Sequence, residues 1–116
     1  ALVRWFTDAY RNAHRDEVEK IERRLLANRP DGFLPAYRLF ACADDRLTGR
    51  LEEIDRRALV VTGELDNGST PAMALRMSEA MRNAEYRVIP GVRHMLPMEA
   101  ADELNTMLRE FLLSQE

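Results

Sequence analysis

Several residue types are scarce in this sequence, and each scarcity excludes a class of protein. The 116 residues contain a single cysteine, Cys42, which excludes an intramolecular disulfide. The two histidines, His14 and His94, lie too far apart for a metal-ligand motif, so we predict no metal and no cofactor. No apolar run reaches the length of a membrane span. A net charge of −3 gives no electrostatic footprint for nucleic acid. We therefore predict a domain that binds neither nucleic acid nor membranes.

Length and composition fit one small domain at most, with a hydrophobic fraction of 46% to supply a core. The chain starts at Ala1 without the regions of a signal peptide, and we expect a cytoplasmic protein. Cys42 lies in the small apolar stretch 40–43 and is predicted to be a buried filler rather than a nucleophile. His14 lies among polar residues and is predicted to be solvated.

Residues 1–54 are charged and helical in pattern. Apolar residues at helical spacing (Val18, Ile21, Leu25) predict a first helix, which ends at the helix-breaking residues 28–32. A second predicted helix has Pro35 in its first turn (Phe33, Tyr37, Phe40). A short third one is predicted around Gly49 (Leu47, Leu51, Ile54). Such short helices do not make a stable domain alone, so we expect this region to pack on something else.

Residues 55–116 predict the order β-α-β-α. The β-branched run 58–62 and the run 86–89 are predicted strands, and Thr70 before Pro71 marks a helix start. Residues 83–85 are predicted to close that helix, and Glu99 to open the last one, where its charge suits the helix dipole. A helix between the strands implies a parallel pair with a right-handed crossover. Two strands cannot cover a sheet, so further strands are expected elsewhere.

Asp66 and His94 are the candidate catalytic residues. Each follows the carboxyl end of a predicted strand, the edge where catalytic groups of open α/β sheets collect. A carboxylate there can accept the Nδ1–H of a histidine that acts as general base. Each residue alone is better read as a structural loop residue, but the pair at one edge favours the catalytic interpretation.

A nucleophile is missing from this pattern. None of the serines (Ser69, Ser78, Ser114) lies in a G-x-S-x-G turn between strand and helix. Ser69 is predicted to cap a backbone amide beside Asp66, and Glu64 to face solvent. Met95, with Leu96 and Met98, either lines a substrate pocket or packs under the last helix.

The stretches 59–66, 70–71, 89–94 and 97–99 resemble the C-terminal half of the esterase, lactonase and carbon–carbon hydrolase branch of the α/β-hydrolases, over residues 55–113. Upstream, 4–7, 31–33, 36–37 and 44–47 resemble the cap of 3-oxoadipate enol-lactonase-like hydrolases. The resemblance implies the C-terminal part of an α/β-hydrolase fold, with residues 1–54 as cap segment and 55–116 as core. That part is incomplete without an N-terminal half.

The same resemblance implies a Ser-Asp-His triad in which Asp66 is the acid and His94 the base, with Trp5 in the cap over the pocket. Its serine would come from the missing N-terminal half, and its substrate would be a small ester or lactone. Two other reactions stay open, carbon–carbon bond hydrolysis and plain esterase action. So do a non-catalytic role in association with another chain and a homo-oligomer. Arg93 departs from the glycine that many relatives have before the histidine, which puts the local backbone geometry in question.

Overall fold

The computed structural model describes residues 1–43, 47 and 49–114. The helices of the first region are α1 (Leu2–Trp5), α2 (Asp8–Ala13), α3 (Arg15–Leu26) and α4 (Pro30–Cys42), followed by a 3₁₀ turn at Leu51–Glu53. The second region contains β1 (Ala58–Gly63), α5 (Pro71–Ala80), β2 (Ala84–Ile89), α6 (Leu96–Glu99) and α7 (Ala101–Leu113). Within the described ranges, no helix is long and apolar enough to cross a membrane.

The two strands pair in parallel, in register from Ala58 opposite Ala84 to Gly63 opposite Ile89. The predicted β-α-β-α order and α/β class are thereby confirmed. The predicted end of the intervening helix at 83–85 is wrong. The chain turns extended at Met81, and Ala84 and Glu85 already belong to β2 because they pair with the first residues of β1.

Helix α5 begins as the sequence predicts. The Thr70 side chain accepts a hydrogen bond from the Met73 amide, and Pro71 occupies the first helical position, where a missing N–H costs nothing. The last helix differs from the prediction, because α7 begins at Ala101 and Glu99 is the last residue of the short α6. The Glu99 carboxylate binds groups of another segment instead of opening a helix.

The first region forms helices close to those predicted. Val18 is buried on α3, as its spacing indicates. Helix α4 begins at Pro30, earlier than predicted, so Pro35 lies inside the helix and not in its first turn. Proline is tolerated in the first turn of a helix, so Pro30 belongs to α4. The non-helical connection between α3 and α4 is therefore only residues 27–29. In the predicted third segment, Leu47 is helical and Leu51–Glu53 form the 3₁₀ turn, whereas residues 44–46 and 48 lie outside the described residues.

The main cluster of buried apolar residues lies at the end of β2 and in the chain that follows it. Ile89, Leu96 and Ala100 form one cluster, against which Val61 and Met107 also pack. Phe6 is fully buried, although it comes from the first region. Cys42 is exposed, so the buried-filler prediction is wrong. Its surroundings on α4 are exposed too, including Leu39 and Phe40, because little of the described chain covers that helix.

Candidate active site

The loops after β1 and β2 are joined by backbone hydrogen bonds. The Glu64 amide donates to the Ile89 carbonyl at 2.9 Å, and the Leu65 amide donates to the Val92 carbonyl at 2.9 Å. The Glu64 side chain is exposed, as predicted, but its carboxylate also accepts the Gly91 amide at 2.8 Å. These contacts fix the distance between the two loops independently of the Asp66 and His94 side chains.

Asp66 and His94 meet between these loops. The Asp66 Oδ2 atom lies 2.7 Å from the His94 Nδ1 atom. Asp66 is 5% exposed, whereas 43% of the His94 side chain is exposed. A buried carboxylate at this distance fixes the imidazole orientation and leaves the other ring nitrogen directed away from the acid.

The second oxygen of Asp66 is held by the turn that follows it. Oδ1 accepts the Gly68 amide at 2.7 Å and the Ser69 amide at 3.0 Å. Burial alone would raise the pKa of Asp66, but the hydrogen bonds from Ser69, His94 and Gly68 outweigh it and place the pKa below its ordinary value. The carboxylate is therefore charged at neutral pH.

His94 also contacts the first region of the chain. Its amide and that of Met95 donate to the Trp5 carbonyl at 3.0 and 3.1 Å. The Trp5 indole stacks near the imidazole, with 6.4 Å between ring centroids. His14 lies elsewhere, exposed, with its ring 4.3 Å from that of Tyr10.

A cavity of about 310 Å³ opens beside the pair. Its lining consists of Arg4, Trp5, Phe40, Asp66, Gly68, Ser69 and His94. The structure thus brings together three of the four predicted site residues. Met95 is not among the lining residues, and its neighbour Leu96 packs in the core. Ser69 lies beside Asp66, as predicted, although it is the Ser69 amide that binds the acid.

Four lining residues were not predicted as site residues: Arg4, Phe40, Gly68 and Ser69. Arg4 could have been suspected from its position next to Trp5. Nothing in the sequence marks Phe40 as a site residue, because its spacing on the predicted helix fits a packing face as well as a pocket wall. Across residues 1–43, 47 and 49–114, no group of three or more potential metal ligands is found.

Comparison with known proteins identifies the fold to which this geometry belongs. A solved structure of a thermophilic esterase from Thermogutta terrifontis, with malate bound, superposes with a TM-score of 0.85 at 27% sequence identity. The match covers 96% of this chain and 40% of the esterase. This chain has the C-terminal part of an α/β-hydrolase fold.

A curated protein supports the same assignment. This chain is 31% identical to (E)-2-((N-methylformamido)methylene)succinate hydrolase of Acinetobacter baylyi over 116 residues. The alignment covers 96% of this chain but only 41% of that hydrolase. No protein-family profile matches the sequence. The chain therefore spans about two fifths of the length of the hydrolases it resembles.

Proposed function

We propose that this chain supplies the acid and the base of a Ser-Asp-His triad in a hydrolase of small esters or lactones. The observation that carries the proposal is the 2.7 Å contact between buried Asp66 and half-exposed His94 at the edge of a cavity. The relatives' printed names, an esterase and a hydrolase, agree with it in reaction class.

In the proposed reaction, the free ring nitrogen of His94 takes the proton of a serine hydroxyl as that oxygen attacks the carbonyl carbon. Asp66 stabilises the imidazolium that forms, and the proton then passes to the leaving oxygen. Ser69 does not suit the nucleophile, because its amide binds the Asp66 carboxylate and its carbonyl accepts the Thr62 hydroxyl, an arrangement that belongs to a turn and not to a strand–turn–helix elbow. The serine and the oxyanion-binding amides would come from chain beyond these 116 residues.

The cavity lining suggests the charge of the substrate. A methyl group added at Gly68 would lie 3.3 Å from the Arg4 guanidinium and 3.4 Å from the Asp66 carboxylate, so both groups border the same backbone. Both oxygens of Asp66 are already hydrogen-bonded, whereas Arg4 has no carboxylate within 4.0 Å among the described residues. A substrate carboxylate would pair with Arg4 while the Trp5 ring covers its apolar part.

The two relatives agree with an anionic substrate. One is named for a succinate derivative, and the other was solved with malate, so both printed names contain a dicarboxylic acid. We therefore propose a carboxylated ester or lactone, with lactone hydrolysis first and carbon–carbon hydrolysis as the alternative.

Arg4→Gln tests this substrate class. A charged hydrogen bond contributes about 1.5–3 kcal/mol, so KM for a carboxylated aryl ester is expected to rise about tenfold or more. KM for the matching neutral ester should stay constant. Steady-state kinetics of the protein encoded by the whole reading frame provide the measurement. Arg56→Gln, at a 90% exposed arginine, is the control. Equal KM changes for both esters would contradict the role of Arg4.

The function itself is tested on the same full-length protein. Aryl esters and a five-membered lactone should be hydrolysed, and a serine-directed phosphonate should block activity by covalent labelling. A folded protein that neither hydrolyses nor becomes labelled would contradict the proposal. That result would favour the alternative of a non-catalytic module acting in association, for which the exposed apolar side chains of α4 are suited (Phe33, Leu34, Tyr37, Leu39, Phe40).

A further inference from the structure

Glu99 joins two segments that are far apart in the sequence. Its Oε1 atom accepts the amide and the hydroxyl of Thr7, both at 2.6 Å, and its Oε2 atom accepts the Arg93 amide at 2.8 Å. All three partners are donors, so the carboxylate satisfies them with both oxygens. It thereby ties the loop that carries His94 to the segment that carries Trp5.

Arg93 and the backbone strengthen the same junction. The Arg93 guanidinium donates to the carbonyls of Val3 and Phe6, the latter at 3.2 Å, and lies 3.9 Å from the Asp8 carboxylate. The backbone amide of His94 itself donates to the Trp5 carbonyl. No non-glycine residue in the described part of the chain has a positive φ, so Arg93 fits its loop without backbone strain. The Arg93 side chain thus links the His94 loop to the first region of the chain, which a glycine at this position could not do.

The Asp66–His94 pair is held by a separate set of contacts. The Leu65 amide binds the Val92 carbonyl, and the turn amides of Gly68 and Ser69 fix the acid. None of these contacts involves Glu99 or Thr7. Removal of the Glu99 carboxylate should therefore loosen the Trp5 segment, which stays tied by the Arg93 guanidinium and the Trp5 carbonyl, and leave the pair in place.

We propose that Glu99 is a positioning residue that holds Trp5, and with it Arg4, against the catalytic histidine. The inference rests on the proposed function, in which these two residues form the substrate-binding wall of the cavity. Glu99 touches no substrate in this arrangement. It acts through Thr7 and Arg93, which flank Trp5 and His94 in the sequence.

Glu99→Gln is the test, carried out on the full-length protein by proton NMR. The glutamine amide would turn a donor toward a donor at one of the two oxygens, so residue 99 can no longer satisfy all three donors of Thr7 and Arg93. The downfield Nδ1 proton of His94, hydrogen-bonded to Asp66, is expected to persist. Nuclear Overhauser contacts between the Trp5 and His94 rings are expected to weaken, because the contacts that remain hold the backbone and not the indole ring. Glu103→Gln, at an exposed acid on α7, should retain both signals.

Thr7 variants test the same contact in case the Glu99 variant does not fold. Thr7→Val removes one donor and should weaken the same ring contacts, whereas Thr7→Ser should restore them. Ring contacts of unchanged intensity in a folded Glu99→Gln protein would overturn the proposal. So would loss of the His94 proton while the β1–β2 amides stay protected. Neither signal depends on catalysis, so a failure of hydrolysis in the full-length protein is a distinct result.

Discussion

Asp66→Asn is expected to lower kcat of the full-length protein, in the proposed hydrolysis, about 10⁴-fold with little change in KM. One oxygen of Asp66 accepts two backbone amides, and the asparagine carbonyl can keep those bonds. The asparagine amide then faces the His94 Nδ1 atom as a donor, which forces that nitrogen to be the acceptor. The proton moves to the other ring nitrogen, which can no longer take a proton from serine.

The measurement is steady-state hydrolysis of an aryl ester, with Asp102→Asn on exposed α7 as the matched control. The downfield His94 proton should vanish in the same variant, because the imidazole no longer donates to residue 66. A variant that keeps more than about a tenth of kcat would show that Asp66 does not set the His94 tautomer.

Gly63→Ala is expected to lower the free energy of unfolding by about 3 kcal/mol or more. A Cβ atom at this last residue of β1 would lie 2.1 Å from the Arg93 carbonyl oxygen and 2.5 Å from that of Val92. Both are backbone atoms, so no rotamer change can relieve the clash. The loop that carries His94 must move away, and the Asp66–His94 pair should open.

Urea denaturation of the chain provides the measurement. Gly32→Ala is the control, since nothing lies within 4 Å of a Cβ at that exposed position of α4. A change there should stay within about 1 kcal/mol, on the stabilising side, because alanine favours helix more than glycine does. If Gly63→Ala lowers the free energy of unfolding by less than about 1 kcal/mol, the prediction is contradicted, and the two loops can move apart at little cost.

The strands and the start of α5 could be predicted because their causes are local. A β-branched run indicates a strand wherever it pairs, and Thr70 with Pro71 caps a helix through bonds within one turn. The Asp66–His94 pair could be predicted from the same pattern, since parallel strands bring their carboxyl ends to one edge.

The elements that were predicted wrongly depend on contacts made elsewhere. Pro30 rather than Pro35 takes the first turn of α4. Glu99 looks like a helix opener from its neighbours, but its three donors come from Thr7 and Arg93. Cys42 looks like a core residue until α4 is seen to lie uncovered. Local sequence carries no information about such partners.

The β-α-β-α order, the α/β class and the placement of Asp66 and His94 at one sheet edge follow from the pattern of amino acids. Their 2.7 Å contact, the lining of the cavity by Arg4 and Phe40, and the binding of Glu99 to a segment 92 residues away appear only in the folded chain. The two sets differ in the range of the interactions that produce them. Propensity, capping and strand direction act over a few residues, whereas burial and long-range hydrogen bonds depend on which distant groups the fold brings within contact.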